Sequence, residues 1–135
     1  MDEKERSELF MIFSKIVVRQ STGIEWQEEG ELEWGFDEKT GRLIIKGKGS
    51  IDDYFYGKKS CQITDYGDSN RKAPWVEKYG NEIRSAIICY GISSIGECAF
   101  FNCDNLQSVL IPEGVIRLGY AALFSCNSIT RFYIP

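Results

Sequence analysis

Apolar residues recur along this chain at two periods, and the change between them marks out the elements. Near the start, Leu9, Phe10, Ile12, Phe13, Ile16 and Val17 fall at helical spacing. Glu3, Glu5 and Glu8 lie ahead of or among them, where carboxylates favour a helix N-terminus. The pattern predicts a helix over residues 4–19, packed on the body by that stripe and ended by Ser21-Thr22-Gly23. The period then becomes two. Leu32, Trp34 and Phe36 alternate with Glu31, Glu33 and Gly35, as in a half-buried strand. Asp37-Glu38-Lys39-Thr40-Gly41 reads as a turn, and Leu43 and Ile45 resume the alternation, so a β-hairpin is expected with Trp34 in the core. Residues 52–73 have no period. They read as a long polar loop carrying Tyr54, Tyr56 and Tyr66, with Lys58, Lys59, Arg71 and Lys72 solvated.

Downstream, the sequence repeats itself. GISSIGECAFFNCDNLQSVLIP (91–112) aligns with GVIRLGYAALFSCNSITRFYIP (114–135) at an offset of 23, with seven of 22 positions identical. The identities are the pairs Gly91/Gly114, Gly96/Gly119, Ala99/Ala122, Phe101/Phe124, Cys103/Cys126, Ile111/Ile134 and Pro112/Pro135. Ile83, Ala86 and Ile88 form the strand half of an earlier copy. A short period of this kind implies stacking, because one copy cannot bury its own apolar residues. Ala99 and Ala122 allow close approach, Gly96 and Gly119 are expected to make turns, and Pro112 and Pro135 end strands.

The stretch IGECAFFNCDNLQSVLIPEGV closely resembles the BspA-like, or Treponema-type, leucine-rich repeat. It matches that pattern at Ile95, Gly96, Ala99, Phe100, Cys103, Leu106, Val109, Ile111, Pro112 and Val115. The second copy departs by Leu123 for the Phe and Ile129 for the Leu, both apolar. LEWGFDEKTGRLIIKGKGSIDDY and APWVEKYGNEIRSAII resemble the segment that often precedes such repeats, so the likeness extends over residues 32–135. The resemblance implies an α/β-type leucine-rich-repeat solenoid. About two and a half 23-residue repeats (half repeat 81–90, repeats 91–113 and 114–135) would be capped by an N-terminal helix and β-hairpin within residues 1–80. It also implies protein–protein binding without catalysis, as in surface adhesins and interaction proteins.

Composition narrows the chemistry. The chain has 135 residues, a net charge of −4 and no histidine. Histidine-based nucleophile systems and zinc sites are thereby removed, and nucleic acid is an unsuitable partner for an acidic chain. Gly47-Lys48-Gly49-Ser50 lacks phosphate-loop spacing, and the carboxylate pairs Asp52-Asp53 and Glu28-Glu29 have no companion base. No cofactor, metal or catalytic residue is expected. The five cysteines, Cys61, Cys89, Cys98, Cys103 and Cys126, are odd in number and lack CxxC spacing. A reduced state is therefore expected, with Cys103 and Cys126 stacked as packing residues, although a disulfide or metal pair there is conceivable. No stretch approaches the ~20 apolar residues of a membrane span, and the N-terminus is too acidic for a signal peptide. The expected location is cytoplasmic if Met1 is the natural start, and otherwise secreted or cell-surface.

Binding surfaces are the remaining candidates. Strand alternation sends Ala86, Ile88, Val109, Ile111, Phe132 and Ile134 inward, and Ser85, Ile87, Ser108, Leu110, Arg131 and Tyr133 outward. The outward apolar column Ile87–Leu110–Tyr133, flanked by Ser108 and Arg131, is the candidate partner-binding strip, unless the helix or the loop covers it. Glu25, Glu28, Glu29, Glu31 and Glu33 form a candidate acidic patch, read either as a solvated face or as a site for a basic partner. Leu118, Phe132 and Ile134 would be exposed at an uncapped last coil, where a homodimer could form through that end or through the strand face. The functional expectation is an interaction module, either a small intracellular binder or inhibitor, or a fragment of a secreted adhesin. A weaker alternative is glycan binding through Trp26 or the loop tyrosines.

Overall fold

A computed structural model describes residues 2–52, 54, 72–101, 103–112, 114–119 and, for the backbone alone, 131–133. Helix α1 spans Glu3–Gln20. Asp2 caps it, its side chain accepting the Glu5 N–H at 2.8 Å, while Arg19 lies in the last turn. Strands β1 (Gln27–Glu29), β2 (Leu32–Asp37) and β3 (Arg42–Gly47) follow. The β2–β3 hairpin has the expected register, with Trp34 opposite Ile45 and Phe36 opposite Leu43. Its turn is fixed at Asp37, whose carboxylate accepts the Lys39 N–H at 3.0 Å and whose carbonyl accepts the Gly41 N–H at 2.8 Å.

After the hairpin come β4 (Gly49–Ile51), helix α2 (Pro74–Tyr79), β5 (Ser85–Ile88), β6 (Ile92–Ile95), β7 (Ser108–Leu110), β8 (Arg117–Leu118) and β9 (Arg131–Tyr133). They complete two sheets, ordered β1-β2-β3-β5-β7-β9 and β4-β6-β8. The pairings β5–β7–β9 and β6–β8 are parallel and advance 23 residues per step: Ala86 to Val109 to Phe132, and Ile95 to Leu118. The hairpin, expected to cap the repeats, is joined to them directly: β3 pairs in parallel with β5 (Leu43 with Ala86), and β4 with β6 (Ile51 with Ile95). Residues 42–51 are thus built into both repeat sheets. The steps of 43 and 44 residues accommodate the excursion through α2.

One core holds residues from both the N-terminal region and the repeats. Leu32, Trp34, Leu43, Ile45 and Trp75 pack with Ala86, Ile88, Ile95, Ala99, Phe100, Cys103, Leu106, Val109 and Ile111. The inward positions read from the alternation at 86, 88, 109 and 111 are therefore core, and Cys103 is a buried thiol that fills space. Pro74 opens α2 and sends Trp75 into this core, where its indole N–H donates to the Ala99 carbonyl at 2.8 Å. Tyr54, expected on an open loop, is buried edge-on against Trp75 at 5.6 Å. Tyr56, Tyr66, Lys58, Lys59, Arg71, Cys61 and Cys126 lie outside the described residues.

The turns fall at other glycines than the expected Gly96 and Gly119. Gly91 and Gly114 carry the positive φ angles, 113° and 102°, that a turn needs. At Gly96 an added Cβ would strike the Asp52 carbonyl, and at Gly119 it would lie 2.6 Å from the Glu97 nitrogen. These two positions therefore serve the close approach of successive repeats and do not make turns.

Candidate partner-binding face

The outer face of the six-stranded sheet is organised in columns. One column runs Gly35, Ile44, Ile87, Leu110 and Tyr133, each in register with the next. A second runs Asp37, Arg42, Ser85, Ser108 and Arg131. The expected strip is thus real as a register, but it is not uniformly open. Helix α1 lies across its β3–β5 end. Val17 packs with Ile44, Ile87 and Cys89, and Val18, Ile24, Trp26 and Leu110 close the margin. Ile87 is only 7% exposed, which removes it from the accessible strip. Leu110 and Ser108 are half-buried, at the register of Tyr133 and Arg131. The structure therefore brings four of the five candidate residues together at β7 and β9 and puts the fifth under the helix.

The helix stripe also differs from expectation. Only Phe10, Ser14 and Val17 of the helix are buried against the body, with Val18 at the margin. Leu9, Ile12, Phe13 and Ile16 are exposed by 51, 50, 39 and 42%. The sequence held a signal for this: at about 100° per residue, the six apolar positions span about 160°, too wide an arc for one line of contact on a sheet. Ser14 lies on the contact side, and its Oγ accepts the Tyr90 N–H at 3.0 Å. Burial pushes the neighbouring Cys89 thiol up to about 11, against opposing effects of the Ser14 hydrogen bond and the Lys46 charge.

The acidic residues gather at the β1–β2 end. Glu25, Glu28 and Glu31 are exposed, and Glu29 and Glu33 are half-buried. Glu28 sits directly opposite Glu33, whose carboxylate is 4.0 Å from Lys46 Nζ. The cluster is therefore interrupted by a cation from β3, and an exposed pair of this kind contributes little to stability. Lys46 Nζ also lies 4.4 Å from the centre of the Trp26 ring. Trp26 is half-buried against Gly35 and is not an open glycan platform. The expectation of fully reduced thiols is overturned at Cys98, which is disulfide-bonded. Cys89 and Cys103 are not in a disulfide. Sequence spacing could not show this, because the fold decides which cysteines approach one another.

Two comparisons place this architecture among known proteins. The BspA type leucine rich repeat region (6 copies) matches residues 78–135. A crystal structure of a leucine-rich repeat protein from Eubacterium ventriosum aligns with a TM-score of 0.57 at 22% identity. The alignment covers 79% of this chain and 27% of that one, so the chain spans about a quarter of the solved protein's length. No curated protein matches. Residues 78–135 carry BspA-type leucine-rich repeats. The fold is accordingly a leucine-rich-repeat fold, a type that generally serves as a non-catalytic protein-interaction module, and no enzymatic family is indicated. The BspA-type match begins downstream of the hairpin. What joins the hairpin to the repeats is the parallel register of β3 with β5.

Proposed function

We propose that this BspA-type repeat protein binds a protein partner through the outer sheet face at β7 and β9, using Leu110, Tyr133, Ser108 and Arg131. The carrying observation is the helix margin. Helix α1 covers Ile44 and Ile87 but leaves Leu110 half-buried, at the start of a mixed apolar and polar column. Leu110 and Tyr133 would supply the desolvated centre, and Ser108 and Arg131 the polar rim. In this reading residues 42–51 act as the first coil of a short solenoid, and β5–β6, β7–β8 and β9 continue it. The disulfide at Cys98 supports an oxidising compartment, and hence the cell-surface or secreted reading over the cytoplasmic one.

The test uses affinity capture from the native host followed by mass spectrometry, comparing wild type with Leu110→Asp and Tyr133→Ser. Both variants should keep the wild-type circular dichroism and unfolding midpoint while losing the captured partner. A partner retained by both folded variants moves the interface elsewhere.

A further inference from the structure

Two apolar layers lie on opposite faces of the six-stranded sheet, because Ile44 and Ile87 alternate with Leu43, Ile45, Ala86 and Ile88. The main core, on one face, holds no residue of α1 among those described. The layer on the other face is small. It consists of Val17, Ile44, Ile87 and Cys89, with Val18, Ile24, Trp26 and Leu110 at its margin. Helix α1 buries Phe10, Ser14 and Val17, and the middle one is polar. Much of its apolar surface, at Leu9, Ile12, Phe13 and Ile16, is spent on solvent instead. The sheet is thus held by the large core, and the helix by the small layer.

The helix also closes its own ends. Asp2 accepts the Glu5 N–H at 2.8 Å, and Ser21 Oγ donates to the Val17 carbonyl at 2.6 Å. Next comes Gly23, exposed, with a φ of 80° and nothing within 4 Å of an added Cβ. Beyond it, Ile24 and Trp26 are anchored against Gly35 of β2. A self-capped rod, a glycine in open space and an anchored segment together make a hinge. The residues under the rod, Ile44 and Ile87, stand in register with Leu110 and Tyr133.

We infer that α1 is an autoinhibitory strap. It opens about Gly23 as an intact helix, uncovers Ile44 and Ile87, and lengthens the partner face from β7 and β9 to β3, β5, β7 and β9. A partner that uses the whole column meets only the opened fraction of molecules, and its apparent affinity falls by that fraction. The opening follows from the small contact alone. Its effect on binding rests on the sheet-face reading proposed above.

Two buried thiols report the opening. Cys89 lies in the layer beneath α1 and Cys103 in the main core, and neither is in a disulfide. The experiment is iodoacetamide labelling of the native full chain, with peptide mapping by mass spectrometry to follow each cysteine. Cys89 should label at least about tenfold faster than Cys103. Its rate should also climb less steeply with urea, since lifting a helix exposes less surface than unfolding the core. Ile83→Val, in the main core, should speed Cys103 roughly two- to tenfold and leave Cys89 unchanged. A Cys89 rate no faster than that of Cys103, equal urea slopes, or an equal response to Ile83→Val overturns the strap.

Phe10→Ala weakens the grip of α1 and tests the inhibition. It should speed Cys89 at least about tenfold and raise the yield of the partner captured from native-host lysate. Faster labelling without a higher yield overturns the inhibitory role and leaves the Leu110–Tyr133 reading in place. Labelling as expected with no partner captured by either protein overturns the sheet-face reading and the inhibitory role with it, while the opening stands.

Discussion

Ser14 Oγ accepts the Tyr90 backbone N–H at 3.0 Å, joining residues 76 apart in the chain. The bond ties the middle of α1 to the end of β5, and the same hydroxyl hydrogen-bonds the Cys89 thiol. A serine in the apolar interface of a helix is costly unless its hydroxyl is satisfied, and here it is satisfied by the element the helix covers. Ser14→Ala leaves the Tyr90 N–H without this partner and should cost about 1–2 kcal/mol. Chemical denaturation measures the loss. Amide exchange of α1 should quicken more than that of β2–β3, because the helix rests on few other contacts.

Cys89 adds a pH dependence whose sign can be worked out. Its thiol is raised from 9.0 to about 11, first by burial. Below pH 9 the thiol is protonated in both states, and stability is unaffected by it. Between pH 9 and 11 the unfolded chain releases the proton while the native chain holds it, so the equilibrium moves toward unfolding. The loss should level off near pH 11 at about 2–3 kcal/mol. Comparing wild type with Cys89→Ala cancels the other groups that titrate there. Their difference in stability should narrow as pH rises from 9 to 11, and a constant difference would refute the assignment.

Much of this fold could be read from the sequence because local rules act alone. The Trp34–Ile45 register follows from period-two alternation around an Asp37 turn, and the 23-residue step follows from repetition. What stayed hidden depended on distance in the chain. The parallel union of β3 with β5 is disguised by its 43-residue step, which no repeat comparison at 23 residues can find. Ile87 looked accessible because strand alternation names a face but not what lies on it. At the candidate site the column Ile87–Leu110–Tyr133 was legible as a register, and its covering by Val17 was not. Leu118 was expected to be open and is 48% exposed, while Ile116 beside it, at 87%, had drawn no attention.

The two kinds of repeat glycine should separate in mutants. Gly96→Ala drives a methyl group into the Asp52 carbonyl, which cannot move without opening the β4–β6 pairing. Its cost should be about 3 kcal/mol or more, and Gly119→Ala should approach it. Gly114 has nothing within 4 Å of an added Cβ, so Gly114→Ala costs only the strain of its φ of 102°, about 1–2 kcal/mol. Urea midpoints of the three variants measure the order. If Gly114→Ala is the most damaging, the turn and stacking roles are reversed.

Cys98 is the non-glycine residue with positive φ among those described, at 57°, and it is buried as well as disulfide-bonded. A left-handed residue costs about 1–2 kcal/mol unless its surroundings hold it there, and the core and the cross-link together do so. Cutting the bond should lower stability by about 2–4 kcal/mol, much of it through the freed unfolded chain. Thiol titration of denatured, unreduced protein should therefore find at most three of the five cysteines. Dithiothreitol should lower the unfolding midpoint of wild type, whereas Cys98→Ser should start at the lowered value and not respond further. Titration of all five thiols in protein purified without reductant would remove the cross-link, and with it the support for an oxidising compartment.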